Sequence, residues 1–512
     1  MARPVIRTSA LALAACTTLV GLGAGTLAPA HAENGRSEGH GRGVVKNVIY
    51  LLGDGMGRTH VTAGRERYYG AAGTLNMERL PAVGQVATYA VEKGTDTPAL
   101  VTDSASSATA WSSGVKTYNA ALGVDSRERR VETLFEQAHA AGMRTGDVST
   151  AEVTDATPAG EVSHALLRGC QGPTFSAAAC IPAGESAPKD NTLITPIARQ
   201  IATNNVADVI LGGGLSRFVP DEQKTMEANG YTVLGNFGDP KVADTAQTAG
   251  TQKVATRQDL DAVPSSTSKV IGLFNRGNMT VERSKRLAAD GAAVKAEPSL
   301  PELTAKAIEL LDTSKARGKG FILQVEGALI DKRSHANDAA QTLEEIKAFD
   351  DAVKVAMDFA AKDGHTLVIV TADHECAGFN IIEKGTFTNA EATTPGTGNQ
   401  DGGNPANNST PVRGSQKKDI TRSTGINNAP GGSTAGNFAP ATFMTRDDGF
   451  VPGKGDGALD GTKEASLWLS YLSGNHTGAD VPLFAGGPGS GAFAKSLNNT
   501  DLYTLVHSAL GL

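Results

Sequence analysis

The sequence predicts an α/β fold, with a mostly parallel central sheet, helices on both faces and an irregular Gly/Asn-rich insertion late in the chain. Three observations carry that prediction. Short apolar runs alternate with helical patterns through most of the chain, as they do in strand–helix–strand units whose sheet is covered on both sides. Those apolar runs end repeatedly in Asp, Glu or His, as strands do when they bring ligands to the carboxyl rim of an open parallel sheet. The 512 residues are 40% hydrophobic and 20% charged, which supplies ample core for such a fold. A net charge of −7 offers no basic field for nucleic acid.

Residues Met1 to Ala32 read as a secretory signal: Arg3 and Arg7, a small apolar run, then Ala30-His31-Ala32 with cleavage after Ala32. The run from Ser9 is broken by Thr17, Thr18 and several glycines, which argues against a membrane anchor. A lipoprotein reading at Leu13-Ala14-Ala15-Cys16 leaves a very short apolar region ahead of the cysteine, so cleavage after Ala32 is preferred. No later segment reaches the ~20 apolar residues that span a bilayer. The expectation is a secreted protein, extracellular or periplasmic. Cys170 and Cys180 agree with that compartment, flanking a short loop as a local disulfide does.

After a polar arm at 33–43, the strand candidates are Val44 to Leu52, Arg144 to Ser149, Ala207 to Gly213, Lys269 to Phe274, Gly320 to Gly327 and Thr366 to Glu375. Helical patterns lie between them, at Val131 to Gly142, Pro301 to Gly318 and Asp338 to Gly364. Residues 385–455 break the rhythm with Gly, Asn, Thr and Pro, as a flexible insertion or a small irregular subdomain.

The strand ends carry the chemistry. Asp54 follows the first run, Glu326 closes the fifth with Asp331 and His335 after it, and Asp373 and His374 close the sixth. Singly, each has a plain structural explanation: Asp54 as a turn residue beside glycine, Asp373 as a cap, His335 on a solvated helix face. Together they point to cation binding or acid–base work. Mixed Asp/His sets suit zinc and oxygen-only sets suit magnesium. Asp103 or Ser104 is placed to cap a helix opening at "SASSATAW", with Ser106, Ser107 and Thr109 as small packing or back-bonding residues. Ser104 would sit at the helix's positive end, where an anion is favoured and a serine beside a metal can attack phosphorus.

Six blocks then match a known family in order: "NVIYLLGDGMG", "VTDSASSATAWSSGVKTYNAALGVD", "STAEVTDATPAG…LLRGC", "QVEGALIDKRSHAND", "VTADHECAGF" and "GNHTGAD". The chain resembles the bacterial-type metal-dependent alkaline phosphatases, from about residue 47 to about 480. The resemblance implies an alkaline-phosphatase-like fold, with 33–512 forming a single catalytic domain and 385–455 a variable insertion. It implies hydrolysis of small phosphate monoesters, two zinc ions and one magnesium per chain, and a homodimer, as in many relatives.

By motif, Ser104 would be the nucleophile and Arg168 a bidentate grip on phosphate. Asp54, Asp373 and His374 would hold one zinc, and Asp331, His335 and His476 the other. Asp54, Thr157 and Glu326 would hold magnesium, with Asp54 shared. Lys332 would reach the phosphate through water, and Asp155 would position Lys332 and the magnesium's waters. Locally, Thr157 reads as an N-cap, Arg168 as a surface charge and His476 as a loop histidine; only the family pattern lifts these three. The Cys170–Cys180 pair fits a family disulfide. Cys376 matches no family position that we identify, leaving buried packing, the preferred reading, or a reactive thiol near zinc. A sulfatase reading is poor, because "ASSA" after Ser104 lacks the x-Pro-x-Arg pattern.

Overall fold

The computed structural model describes residues 44–239, 248–249, 251–313, 316–384, 441–462 and 464–512. The signal and polar-arm readings at 1–43 lie outside the described residues, as does 385–440 of the insertion. Among the described residues, ten strands form the central sheet. They are β1 (Asn47–Gly53), β2 (Ala82–Ala87), β3 (Arg144–Glu152), β4 (Val209–Gly213), β5 (Thr232–Leu234), β6 (Val270–Leu273), β7 (Phe321–Gly327), β8 (Thr366–Thr371), β9 (Val481–Gly486) and β10 (Ser496–Asn498). Their order is β10-β2-β9-β8-β1-β7-β3-β4-β6-β5. Only β9 runs antiparallel to its neighbours, against β8 and β2. The six strands expected from the sequence all lie in this sheet. The four that were missed form β5 at one edge and β9, β2 and β10 at the other.

Central strands β1, β7 and β8 are buried at every position, which requires cover on both faces. Alternation along β7 makes the two faces explicit. Gln324 accepts a hydrogen bond from the indole of Trp111, in helix Ser104–Ser113. Gly327, of opposite parity, abuts Phe349 in helix Ala339–Asp363. That long helix covers the expected Asp338–Gly364 span and ends on Gly364 at φ 73°. The expected Pro301–Gly318 helix instead stops at Leu311, and a short turn of helix resumes at Ala316–Lys319.

Cys170 and Cys180 form the expected disulfide. Within 385–455, Ala441–Phe443 is a strand of a three-stranded sheet with Leu467–Ser470 and Asn380–Ile382, so this end of the insertion has regular structure. No helix among the described residues is long and apolar enough to cross a membrane.

Glu161, 3% exposed in helix Ala156–Val162, is a cost of this packing. Burial pushes its carboxyl up to about 8, against the opposing hydrogen bond from the Phe135 amide. A raised acid costs folding nothing below its unfolded value and progressively more as pH climbs to its folded value. Between 4.5 and about 8 the cost grows to at most about 5 kcal/mol. Glu161→Gln is therefore expected to flatten the stability decline over that window, as denaturant melts at stepped pH would report. Parallel profiles for the two proteins would contradict it.

Candidate active site

Four adjacent strands at the middle of the sheet, β8, β1, β7 and β3, deliver the polar groups to one rim. Asp54 follows β1 in a turn through Gly55, whose φ is 68°. Glu326 stands in β7, and helix Leu329–His335 carries Asp331, Lys332 and His335. Asp373 and His374 follow β8, and Asp155 follows β3. Asp155, not Thr157, caps helix Ala156–Val162, accepting from the Ala156 amide; Thr157 lies within the first turn. The cap goes to Asp155 because it is the last residue with extended backbone.

Ser104 opens its helix, with Asp103 as the N-cap accepting from the Ser106 amide. Ser104 is 2% exposed, and its Oγ lies 3.2 Å from His374 Nε2. That same nitrogen lies 3.1 Å from Asp373 Oδ2 and 3.6 Å from Asp54 Oδ1. The neighbouring hydroxyls are spent on structure: Ser107 Oγ donates to the Asp373 carbonyl, and Thr109 Oγ1 to that of Ala105.

A second cluster adjoins the first. Asp331 Oδ2 lies 3.2 Å from His335 Nε2, Asp331 Oδ1 lies 3.6 Å from His476 Nε2, and the two imidazole Nε2 atoms are 3.1 Å apart. Main-chain carbonyls orient both rings from behind: Gly474 at 2.6 Å from His335 Nδ1 and Thr102 at 2.9 Å from His476 Nδ1. Such outer partners fix which ring nitrogen faces a metal. The rings of His374 and His476 stack with centroids 3.5 Å apart, so the two clusters are contiguous.

The cationic side is built on two carboxylates. Arg168 donates to Asp155 at 2.8 Å and to Asp103 at 3.3 Å, and Lys332 donates to Asp155 at 2.7 Å. Arg168 is 4% exposed, so the surface-charge reading fails; a buried guanidinium persists here because two carboxylates pair with it. Burial opposes ionisation of Asp155, but Lys332 and Arg168 together outweigh it and hold the carboxyl far below its ordinary range. Lys332 is pushed up in return, so it stays charged into alkaline solution.

Glu326 completes the rim. Burial lifts it to about 7 despite the hydroxyl of Ser149, which hydrogen-bonds it, and the Thr157 hydroxyl, which faces the same carboxyl. Burial also raises Asp54 well above its usual value, followed by the charges of Asp373, Asp331 and Glu326. Ser149, Asp103 and the Gly474 carbonyl are contributors that sequence patterns did not single out for the site. Only Asp103, beside Ser104, carried a local signal, and that signal read as a cap.

These residues fit metal ions. Asp54 Oδ1, Asp331 Oδ1 and Asp373 Oδ2 are buried without a hydrogen bond, a costly arrangement unless a cation satisfies them. The ligand atoms of Asp54, Asp331 and His374 lie within 4.8 Å of one another, and so do those of Asp331, His335, His476 and Cys376. Nitrogen and oxygen mix in both groups, as zinc tolerates, whereas Glu326, Thr157 and Asp54 offer oxygen alone.

Comparison with known proteins identifies the family. A family model described as alkaline phosphatase matches residues 45–424. Alkaline phosphatase of Escherichia coli is 42% identical over 346 residues, covering 64% of this chain and 70% of the relative. Streptomycin-6-phosphate phosphatase of Streptomyces griseus is 40% identical over 371 residues, covering 68% and 77% respectively. Among solved structures, a variant of the TAB5 alkaline phosphatase with Mg bound in its M3 site aligns over 92% of this chain and 99% of its own, with a TM-score of 0.58 and 25% identity. The family model spans most of the chain, and the chain belongs to the alkaline phosphatase family, metal-dependent hydrolases of phosphate monoesters.

Proposed function

We propose that this chain hydrolyses phosphate monoesters to inorganic phosphate through a phosphoseryl intermediate on Ser104. One observation carries the reading: Ser104 Oγ meets His374 Nε2 where that nitrogen also faces Asp54 and Asp373. In the first displacement Ser104 Oγ gives up its proton and forms a bond to phosphorus as the bond to the ester oxygen breaks, and the leaving oxygen takes up a proton and departs as the alcohol. Water then displaces Ser104 from the opposite side, and the serine regains its proton. Ser104 stands at the positive end of its helix, which favours the phosphoryl charge. Arg168 has five N–H donors, of which Asp103 and Asp155 engage two of its nitrogens, leaving donors for phosphate oxygens. Lys332, held by Asp155, adds a second fixed positive charge.

Asp54, Asp373 and His374 would hold one zinc, and Asp331, His335 and His476 the second. Asp54, Thr157 and Glu326 would hold magnesium, Asp54 being shared. Bound there, the ions would supply Lewis-acid stabilisation of the entering and leaving oxygens and a lowered pKa for water. The same reading takes 1–32 as a signal removed on export, 33–512 as one catalytic domain, 385–455 as a variable insertion, and the working molecule as a homodimer in the periplasm or outside the cell.

The deciding experiment follows a chromogenic phosphate monoester at mildly alkaline pH before chelation, after chelation, and after zinc and magnesium are restored. Turnover is expected to be lost and recovered. A fully metallated protein that stays inert would sink the general-phosphatase reading. The Streptomyces griseus relative, named for a single phosphorylated metabolite, supports a narrower alternative. A panel of sugar, nucleoside, aminoglycoside and aryl phosphates, with one diester, separates the two by whether kcat/KM is level or peaks on one member.

A further inference from the structure

We propose that Cys376 is a ligand of the metal ion assigned to Asp331, His335 and His476, so that this chain's set is Asp–His–His–Cys. The proposal rests on the metal reading above and adds a donor to it. Cys376 is fully buried, and its Sγ lies within 4.8 Å of the ligand atoms of all three partners. Asp331 Oδ1, in the same group, is buried without a hydrogen bond. A tetrahedral zinc bound at about 2.3 Å to sulfur and about 2.1 Å to nitrogen sets those two ligands about 3.6 Å apart, so separations that reach at most 4.8 Å close by up to about 1.2 Å on binding, a side-chain adjustment.

The backbone holds the thiol on the correct side. Residues Glu375–Cys376 pair with His476–Thr477 in an antiparallel bridge, with Cys376 directly opposite His476. Side chains of directly opposed residues share a face, which puts the sulfur on the side of the His476 ring. The other pair points away: Thr477 Oγ1 donates to Glu375 Oε2 at 2.5 Å. The Cys376 amide donates to the Gly55 carbonyl at 3.0 Å, tying this strand to the Asp54 turn. Gly55 is what lets the groups converge. A Cβ there would lie 2.7 Å from Cys376 Cβ and 2.8 Å from Asp331 Oδ1.

The competing interaction is weak. Cys376 Sγ donates to the Asp331 carbonyl across 3.7 Å, a bond that coordination readily replaces. On binding, the S–H bond breaks, sulfur gives its lone pair to the ion, and the proton leaves to water. A thiolate is a soft donor that suits zinc or cobalt and is poorly matched to magnesium. Its expected effect is to bias this site toward zinc even where magnesium is abundant, while zinc's capacity for a fifth ligand leaves room for a reacting oxygen.

The test is cobalt reconstitution of the chelated full-length protein, read by absorption. Wild type should show visible d–d bands that report the ion and a near-ultraviolet sulfur-to-cobalt charge-transfer band. Cys376→Ser and Cys376→Ala should keep the visible bands and lose the charge-transfer band. In chelator competition both should bind zinc at least ~10–100-fold more weakly, the range typical even of partners outside the first shell. Wild type with visible bands and no charge-transfer band overturns the cysteine assignment and leaves the metal reading standing, as does a band that survives both substitutions. Failure of wild type to take up cobalt overturns both readings. Because wild type alone supplies the first spectrum, poor folding of a variant does not remove the test.

Discussion

Ser104→Ala is expected to lower kcat by about 10³–10⁶-fold, the range over which removal of a covalent nucleophile acts in a preorganised site. The fold should survive, because the N-cap that starts the helix is Asp103, and among the described residues the Ser104 side chain hydrogen-bonds only with His374. Activity alone cannot distinguish a nucleophile from a group that orients one. The second measurement is therefore an acid quench with phosphorus-labelled substrate, which should trap label on wild type and none on Ser104→Ala. A control comes from the same helix. Thr109 Oγ1 donates to the Ala105 carbonyl and accepts from the Gly123 amide at 3.0 Å. Thr109→Val should cost about 1–3 kcal/mol of stability, since it strands a buried amide, with kcat unchanged. If Ser104→Ala stays within tenfold of wild type, water attacks the substrate directly and the phosphoseryl route is wrong.

The hydroxyl-rich segment thus has one candidate reacting member among several structural ones, and the sequence separates them only in part. Asp54, Glu326 and Asp373 were legible because each ends or follows a buried, mostly apolar strand, where a carboxylate has no structural reason to recur. Arg168, Thr157 and His476 were not legible from their own surroundings. Arg168 is buried and pairs there with Asp155, 13 residues before it, and Asp103, 65 residues before it, at spacings that no local period links. His476 reaches the rim through a two-residue bridge to Cys376, too short to leave any periodic trace. The missed edge of the sheet has its own causes. β9 contains Pro482, a residue that argues against an interior strand, yet it pairs with both β8 and β2. β2 contains Gly84, whose missing side chain admits the Lys495 carbonyl at a distance no Cβ allows. In each case the deciding contact is tertiary, and local propensity points the other way.

Asp54→Asn should move activity and stability in opposite directions. Asp54 is the residue assigned to both a zinc and the magnesium, so losing its charge is expected to strip metal from two sites and reduce kcat/KM by at least ~10³-fold. The metal-free protein should nevertheless become more stable. Its buried Asp54 carboxyl is raised by burial first, then by the charges of Asp373, Asp331 and Glu326. An acid raised by folding is protonated at no cost below its ordinary 3.8 and becomes destabilising as pH rises past that value. Asparagine never ionises, so the chelated variant should melt above chelated wild type at neutral and alkaline pH, the gap narrowing as pH falls toward the ordinary carboxylate range. With zinc and magnesium present the order should reverse. A ligand held at about 1,000 times its Kd stabilises the native state by about 4 kcal/mol, and the variant forfeits part of that. Melting curves for both proteins with and without metal decide the matter. If chelated Asp54→Asn is less stable than chelated wild type, the crowded carboxylates are not repelling one another. The rim would then be a structural network, and the case for metal built on its buried, unpaired oxygens would lose its physical basis.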